Sequence, residues 1–318
     1  MGPRSCSARE PTPWAGPPRS RSEREDHRVD GQRSDGQRSD GRWLELADGV
    51  LARRHDELDL TTGLVLGTSA ALVIDTRGDT AQGAELAAAV RAVTALPVVV
   101  ALTHAHFDHC FGTAAFPGAP VYAQAGCAGA LLATAAAQRA HWTRHYRDAG
   151  STGSSGASGS SEASGSSAAA TADALAATVP VLPDHPVCAR PASAHPLDLG
   201  GRIVHLVHPG PGHTGHDLVV HVPDAGVLFA GDLLENGAPP SFGPDSYRRD
   251  WAAAVGLLLD VGAAPAATGT RVFVPRHGDP LSPEEAAAQH TDLLRIARAA
   301  GPSGAPVPRA PSANSLTR

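Results

Sequence analysis

Four residues with metal-binding side chains lie in one short stretch of the chain: His104, His106, Asp108 and His109. The stretch directly follows an apolar run, 97–102, that is typical of a strand buried on both faces. Side chains at positions i and i+2 of an extended segment point the same way, so His104 and His106 can hold one metal ion. Asp108 and His109 are adjacent and diverge more readily than they converge, which suits two ions side by side. Imidazole and carboxylate ligands favour zinc, with iron or manganese as alternatives.

Three later residues occupy similar places in the sequence, each just after a predicted strand and beside glycine or proline: His213, Asp232 and His277. Strand ends along one edge of a sheet converge in space, and α/β proteins place their sites there. Any one of the three fits a structural turn equally well. Together with the first four residues, they predict a single shared metal centre.

Strand and helix signals alternate along the chain between these residues. Short β-rich runs predict strands at 64–66, 70–74, 97–102, 121–122, 203–207, 218–222, 227–230 and 271–274. Apolar residues at helical spacing predict helices over 80–94, from about 123 to 146, and near Trp251. A last helix is predicted to open at Ser282, where Pro283 and Glu285 complete a capping pattern. This mixture favours one layered α/β domain.

Composition divides the 318 residues into a domain and two tails. Residues 1–41 are rich in Arg, Ser, Pro, Asp and Gly, which predicts a disordered N-terminal tail. Residues 150–170 are almost entirely Ser, Gly and Ala, which predicts a flexible surface insertion. Residues 301–318 read as a disordered C-terminal tail. The predicted domain therefore spans 42–300, and the metal-binding residues lie on both sides of its insertion.

Charge and hydropathy argue against several classes of protein. The net charge is −6, so there is no basic surplus for binding nucleic acid. No apolar run reaches the roughly 18 to 20 residues that span a bilayer, so we expect no membrane association. The first ten residues are polar and lack the apolar core of a signal peptide, which predicts a cytoplasmic protein. The four cysteines are scattered, which argues against a disulfide scaffold or a cysteine zinc cluster.

The order of the chemical motifs resembles that of the metallo-β-lactamase superfamily: His-x-His-x-Asp-His, then Gly-His-Thr, then Gly-Asp, then a late His-Gly. The resemblance covers about residues 43–300. It implies an αββα sandwich of two mixed β-sheets flanked by helices, with a binuclear zinc site at one sheet edge. By matched position it implies that His104, His106 and His213 hold the first ion, that Asp108, His109 and His277 hold the second, and that Asp232 bridges both. Asp75 matches a supporting carboxylate that contacts the ligands.

The ligand set implied by the resemblance is of the glyoxalase II type, because the secreted β-lactamases lack a bridging aspartate at the position of Asp232. Only one helix and a tail follow His277, so we do not expect the helical extension that binds glutathione. Two adjacent zinc ions lower the pKa of a shared water from ~15.7 toward ~7. The sequence thus predicts a bridging hydroxide, oriented by the catalytic residue Asp108, that hydrolyses a small ester, thioester or lactone. A class B-like β-lactam hydrolase and a non-catalytic metal-binding protein remain as alternatives, and the oligomeric state stays open.

Several other residues are candidates for the edge of the pocket. His216 follows His213 by three residues and either lines the pocket or serves a structural role. The Gly- and Pro-rich run 236–247 follows Asp232 and predicts a loop beside the pocket. Its candidate substrate contacts are Asn236, Phe242 and Tyr247.

Overall fold

The apolar runs of the sequence form two mixed β-sheets in a computed structural model, which describes residues 41–152, 160–187, 191, 194–262 and 271–299. The strands of the first sheet, in both chain order and spatial order, are β1 (Trp43–Ala47), β2 (Val50–His55), β3 (Leu60–Leu66), β4 (Ala71–Ile74), β5 (Val98–Ala101), β6 (Val121–Gln124) and β7 (His185–Val187). Neighbouring strands are antiparallel from β1 to β4 and parallel from β4 to β7.

The second sheet comes from the later part of the chain. Its strands are β8 (Ala194–Asp198), β9 (Ile203–Val207), β10 (Val219–Val222), β11 (Val227–Gly231) and β12 (Val272–Pro275), and their spatial order is β12-β11-β10-β9-β8. β11 and β12 are parallel, whereas the other neighbours are antiparallel. Both sheets are therefore mixed, as the family resemblance implies.

Helices cover the outer faces of both sheets. They are α1 (Thr80–Val93), α2 (Phe107–Cys110), α3 (Cys127–Thr152), α4 (Ser160–Ala177), α5 (Trp251–Gly262) and α6 (Pro283–Ala299), with 3-10 turns at Glu57–Asp59 and Phe111–Ala115. The predicted capping pattern at α6 is confirmed, because Glu285 N donates to Ser282 Oγ at 3.2 Å and Ser282 N donates to Glu285 Oε2 at 2.7 Å. Among the described residues, none of the helices has the length and apolar character needed to cross a membrane.

The alternation of side chains along the strands produces three apolar layers. On β4, Ala71 and Val73 pack under α1, while Leu72 and Ile74 face the second sheet. On β11, alternate residues pack between the sheets or beneath α5 and α6. The order of layers is helix, sheet, sheet, helix, which confirms the predicted αββα sandwich.

The Ser/Gly/Ala-rich stretch differs from its prediction as a loop. Residues 150–152 end α3, and residues 160–170 lie in α4. Alanine has the highest intrinsic helix propensity, and the alanines that follow extend the helix. Ala172 and Leu175 are fully buried in the first core, so tertiary packing also stabilises α4. Residues 153–159 lie outside the described part of the chain.

The predicted tails fall almost entirely outside the described residues, which begin at 41 and end at 299. Gly41 is the exception, since the tail was predicted to include it. Its N–H donates to Arg54 O at 3.1 Å, which continues the pairing between the first two strands. This hydrogen bond places Gly41 beside β2, although the prediction assigned it to the tail.

Four strands have no counterpart in the sequence prediction: β1, β2, β7 and β8. Three of them lie at sheet edges, where proline and polar residues are tolerated. Pro186 in β7 and Pro196 in β8 weaken the strand pattern in the sequence. β2 lies inside the sheet, but it ends in the polar residues Arg53-Arg54-His55. These residues do not match the apolar pattern of a buried strand, so the sequence did not indicate one.

Candidate metal centre

The fold brings the seven predicted ligands to one end of the sandwich. Each follows a strand or opens the short helix α2, so backbone segments from both sheets contribute. Their ligand atoms form two groups, in each of which all atoms lie within 4.8 Å of one another: His104, His106, His213 and Asp232 in the first, and Asp108, His109 and His277 in the second. This division matches the two ions that the family resemblance implies.

Three ring nitrogens converge in the first group. His106 Nδ1 lies 2.9 Å from His104 Nε2 and 3.0 Å from His213 Nε2. A ring nitrogen carries either one proton or one lone pair, so His106 Nδ1 cannot satisfy both neighbours by hydrogen bonding. A cation among the three nitrogens would satisfy every lone pair at once. Zinc binds imidazole in this way, at about 2.0–2.1 Å from each nitrogen.

The second group gathers around the carboxylate of Asp108. Asp108 Oδ2 lies 3.5 Å from His109 Nε2 and 3.7 Å from His277 Nε2. His277 is oriented by its other ring nitrogen, because Nδ1 donates to Leu58 O at 2.8 Å. A carboxylate and two imidazoles are side chains that zinc takes as ligands in proteins.

Asp232 contacts both groups. Its Oδ2 lies 3.4 Å from His213 Nε2 and 3.8 Å from His277 Nε2, while its Oδ1 lies 3.2 Å from His109 Nε2. Burial alone would raise the pKa of Asp232, but the surrounding histidines hold it well below its usual range. The carboxylate is thus ionised and stands between the two sets of nitrogen donors.

Glycine shapes the turn that places this carboxylate. Gly231 has a φ of +57°, in the left-handed region that favours glycine. A Cβ at this position would also lie 3.0 Å from Thr103 Cβ, on the segment that carries the first histidine. The Gly-Asp pair in the sequence therefore marks a tight turn at the end of β11.

Two orphaned polar atoms support a metal ion at this place. His109 Nε2 and Asp232 Oδ1 are buried and have no aligned hydrogen-bond partner, although they lie 3.2 Å apart. Leaving such atoms unsatisfied costs about 1–3 kcal/mol each. Burial opposes a charge on His109, but Asp232, Asp108 and Asp75 outweigh it and raise its pKa to about 10. The group therefore demands a positive charge, and its nitrogen and oxygen donors fit zinc.

Asp75 fixes the orientation of His109. Asp75 Oδ2 accepts from His109 Nδ1 at 2.9 Å, and its two oxygens also accept from Thr103 N and Thr103 Oγ1, both at 2.8 Å. Asp75 has a φ of +60°, a strained conformation for a residue with a side chain. These contacts turn His109 Nε2 toward the second group. The supporting role that the resemblance implies for Asp75 agrees with this geometry.

Asp245 is a site residue that the sequence analysis did not identify. Its Oδ2 lies 3.0 Å from His106 Nε2 and accepts that proton, which leaves Nδ1 free to bind a metal ion. Burial lowers the pKa of His106, but the hydrogen bond and charge of Asp245 raise it overall. Asp245 lies in the loop predicted beside the pocket, so its region was predicted although its contact was not.

Arg276 is a second residue that the sequence analysis missed. It is 2% exposed, and its guanidinium donates to Thr61 O at 2.8 Å and to Asp108 O. It therefore connects β3 with the turn that carries Asp108. Its position next to His277 was the one feature of the sequence that could have indicated a role for Arg276 at the site.

The other candidate residues have varied environments. His216 Nε2 accepts from Ala105 N at 3.3 Å, and burial lowers its pKa to about 4, so the ring is neutral. Asn236 uses its amide to donate to Asp279 O at 2.9 Å. Phe242 packs edge-on against Trp251, while Tyr247 is 45% exposed. Whether Asn236, Phe242 and Tyr247 contact a substrate stays a prediction.

Comparison with known proteins identifies the family. The metallo-beta-lactamase superfamily pattern matches residues 56–274, and the chain belongs to this superfamily. No curated protein matches the sequence at a significant level.

Solved structures of metallo-beta-lactamases share the fold at low sequence identity. The enzyme from Hirschia baltica is 16% identical, with a TM-score of 0.55 over 80% of this chain and 98% of its own. FIM-1 from Pseudomonas aeruginosa, in its mono-zinc form, is 18% identical, with a TM-score of 0.56 over 84% and 99%. The enzyme from Pontibacter korlensis is 19% identical, with a TM-score of 0.55 over 81% and 98%. At these identities, the likeness shows the fold alone.

Proposed function

We propose that this protein is a zinc-dependent hydrolase with two metal ions that cleaves a small-molecule ester, thioester or lactone. The observation that carries the proposal is the position of Asp232. Its carboxylate lies within 3.2–3.8 Å of ring nitrogens from both groups, as a bridging ligand requires. Membership of the metallo-beta-lactamase superfamily makes metal-dependent hydrolysis the expected class of reaction.

Each ion has its own set of residues in this proposal, with Asp232 shared between the sets. His104, His106 and His213 would hold the first ion, and Asp108, His109 and His277 the second. Bound zinc supplies Lewis acidity and lowers the pKa of a coordinated water toward ~7. The donor set also suits iron or manganese, although zinc fits best.

Asp108 is positioned to handle the proton of the attacking water. Its side chain is buried, and its Oδ2 faces the centre of the second group. Arg276 holds the backbone carbonyl of the same residue, so the carboxylate is carried on a fixed turn. We infer that the Asp108 carboxylate, besides holding the second ion, orients the nucleophile and accepts its proton, which a positioned carboxylate does in general base catalysis.

Hydrolysis of a β-lactam is the second candidate function. It is a candidate because the chain shares its fold with solved metallo-beta-lactamases. Asp232 distinguishes the two, because hydrolases of the glyoxalase II type have a bridging carboxylate at this position and the secreted β-lactamases lack one. A metal-binding protein without turnover is the third candidate. The complete set of seven ligand side chains argues against it, because a site that has lost its activity usually loses ligands first.

Zinc-loaded full-length protein should be assayed against thioesters, esters, lactones, β-lactams and phosphodiesters. We expect turnover of at least one ester, thioester or lactone, and loss of at least a thousandfold in kcat with Asp108→Ala. Asp292→Asn is the matched control, because that aspartate is an exposed residue of α6 that pairs with Arg295. Turnover of β-lactams alone would favour the second candidate, and an Asp108→Ala variant with wild-type activity would exclude the proposed base.

A further inference from the structure

His106 differs from the other histidines of the first group in the nitrogen that it presents. It uses Nδ1, whereas His104 and His213 use Nε2. Nδ1 is bonded to the ring carbon that joins the side chain, so an ion at Nδ1 sits close to the main chain. The position of His106 Nδ1 therefore depends closely on how the backbone of residues 105–107 is held.

One side chain from α3 binds the backbone on both sides of His106. Gln138 Oε1 accepts from Phe107 N at 2.8 Å, and Gln138 Nε2 donates to Ala105 O at 3.0 Å. A primary amide has one accepting and one donating end, so only this orientation satisfies both backbone groups. The pair of hydrogen bonds brackets a single residue, His106.

Gln138 is itself held in place on the helix. Its Nε2 also donates to Thr134 Oγ1 at 2.8 Å, and that hydroxyl donates to Ala130 O at 2.8 Å. One turn further along, Trp142 stacks on the ring of Phe107, with centroids 4.4 Å apart and an angle of 26° between the planes. Residues four apart share a helical face, so one face of α3 contacts the segment that carries His106.

The remaining polar backbone atom of Ala105 is also bound by a side chain. Ala105 N donates to His216 Nε2 at 3.3 Å, from the loop that carries His213. Ala105 N, Ala105 O and Phe107 N are therefore all held by side chains from outside their own segment. Such outside support is typical of segments that orient metal ligands.

We propose that Gln138 is a positioning residue for the first metal ion, and that its two hydrogen bonds hold His106 Nδ1 beside His104 and His213. The inference rests on the proposed metal centre and extends it to a helix that supplies no ligand. Loss of an outer partner of a metal ligand typically costs 10–100-fold in metal affinity. Loss of Gln138 should therefore weaken the first ion more than the second, because its two hydrogen bonds bracket His106, a proposed ligand of the first ion.

The test measures zinc affinity at each group separately in the full chain, by competition with a chromophoric chelator. The His277→Ala background isolates the first group, and the His213→Ala background isolates the second. Gln138→Met removes both hydrogen bonds at similar volume. Gln138→Glu keeps the acceptor for Phe107 N but places an oxygen against Ala105 O. This second variant replaces Gln138→Met in the test if the methionine variant does not fold. Arg144→Ala, an exposed change on the same helix, is the control.

We expect either Gln138 variant to weaken zinc at the first group by at least tenfold and at the second by less than twofold. Arg144→Ala should leave both affinities unchanged. In cobalt-substituted protein, the absorption of the first site should shift with Gln138→Met and not with the control. A lower melting temperature of the metal-free variant with unchanged zinc affinities would show a merely structural role and overturn the inference. A wild-type chain that binds no zinc would instead contradict the proposed function itself.

Discussion

In three of the five histidines proposed as ligands, the partner of the second ring nitrogen decides which nitrogen faces the metal centre. His109 donates Nδ1 to Asp75, His277 donates Nδ1 to Leu58 O, and His106 donates Nε2 to Asp245. A carboxylate or carbonyl that accepts from one nitrogen leaves the other with its lone pair directed at the metal. These partners lie directly after β4, in the 3-10 turn before β3 and in the loop after β11, so the centre depends on residues far apart in sequence.

Asp245→Asn should weaken the first metal ion. An amide has no charge and offers a weaker acceptor to His106 Nε2, so the ring loses orientation and basicity. We expect zinc affinity at the first group to fall about tenfold. The measurement is chelator competition, with Asp224→Asn as control, because Asp224 pairs with Arg202 away from the centre. Equal zinc affinities in the Asp245 variant and the wild type would exclude Asp245 as a supporting residue.

Glu235 should make the stability of the metal-free protein depend on pH. Burial, followed by the charge of Asp232, raises the pKa of Glu235 from 4.5 to about 7, and the carboxyl is 6% exposed. A raised carboxyl pKa means that the native state binds the proton more tightly than the unfolded chain does. The contribution of Glu235 to stability is therefore greatest below pH 4.5 and is lost as the pH rises to about 7.

Glu235→Gln removes this titration and keeps an acceptor for Ser241 N. Relative to wild type, the variant should gain about 2 kcal/mol of unfolding free energy between pH 5 and pH 8, at ~1.4 kcal/mol per pKa unit. Urea unfolding with a chelator present measures this difference. If the variant and the wild type differ in unfolding free energy by the same amount at pH 5 and pH 8, Glu235 does not have the raised pKa.

At the scale of elements, α4 shows that composition predicts secondary structure poorly where tertiary packing stabilises a helix. The serines and glycines of 150–170 predict a flexible loop, yet residues 160–170 are helical because α4 packs through its later turns. Besides the helix propensity of its alanines, the burial of Ala172 and Leu175 in the first core stabilises this helix, and the sequence alone does not reveal that burial. The strands nearest the centre were predicted because their apolar runs are short, continuous and bounded by glycine or proline.

Leu175→Ala tests whether α4 is a packed element. Leu175 is fully buried, so its truncation should destabilise the protein by about 3 kcal/mol. Leu132→Ala is the matched control on α3, where the side chain is 70% exposed and its loss should change stability by less than about 0.5 kcal/mol. Urea unfolding of both variants gives the comparison. Equal stabilities would support the loop predicted from composition.

At the scale of the whole molecule, the family resemblance implied the order of layers. The sequence predicted all seven residues that the two groups contain, because strand ends and ligand motifs coincide. It did not predict Asp245, Gln138 or Arg276. Each of these acts through a contact across more than 30 residues, and a lone Asp, Gln or Arg carries no local pattern. The edge strands were missed for a related reason: they form by pairing with a neighbouring strand, and their own residues carry little strand pattern.

Both sheets supply candidate ligands, and this explains why the two groups of ligand atoms lie side by side. The first sheet supplies His104, His106, Asp108 and His109 after β5, and the second supplies His213, Asp232 and His277. Each of the two groups takes residues from both sheets. Metal binding should therefore stabilise the packing of one sheet on the other, because an ion that binds only the native state adds its binding free energy to folding.

The central claim is that Asp232 joins two metal sites, and zinc content tests it most directly. Full-length wild-type protein, saturated with zinc and dialysed, should retain about two ions per chain by elemental analysis. Asp232→Asn keeps the shape but removes the charge, so it should retain about one, with the second recovered only in excess zinc. At most one ion in saturated wild type, or the same content in both proteins, would contradict the account.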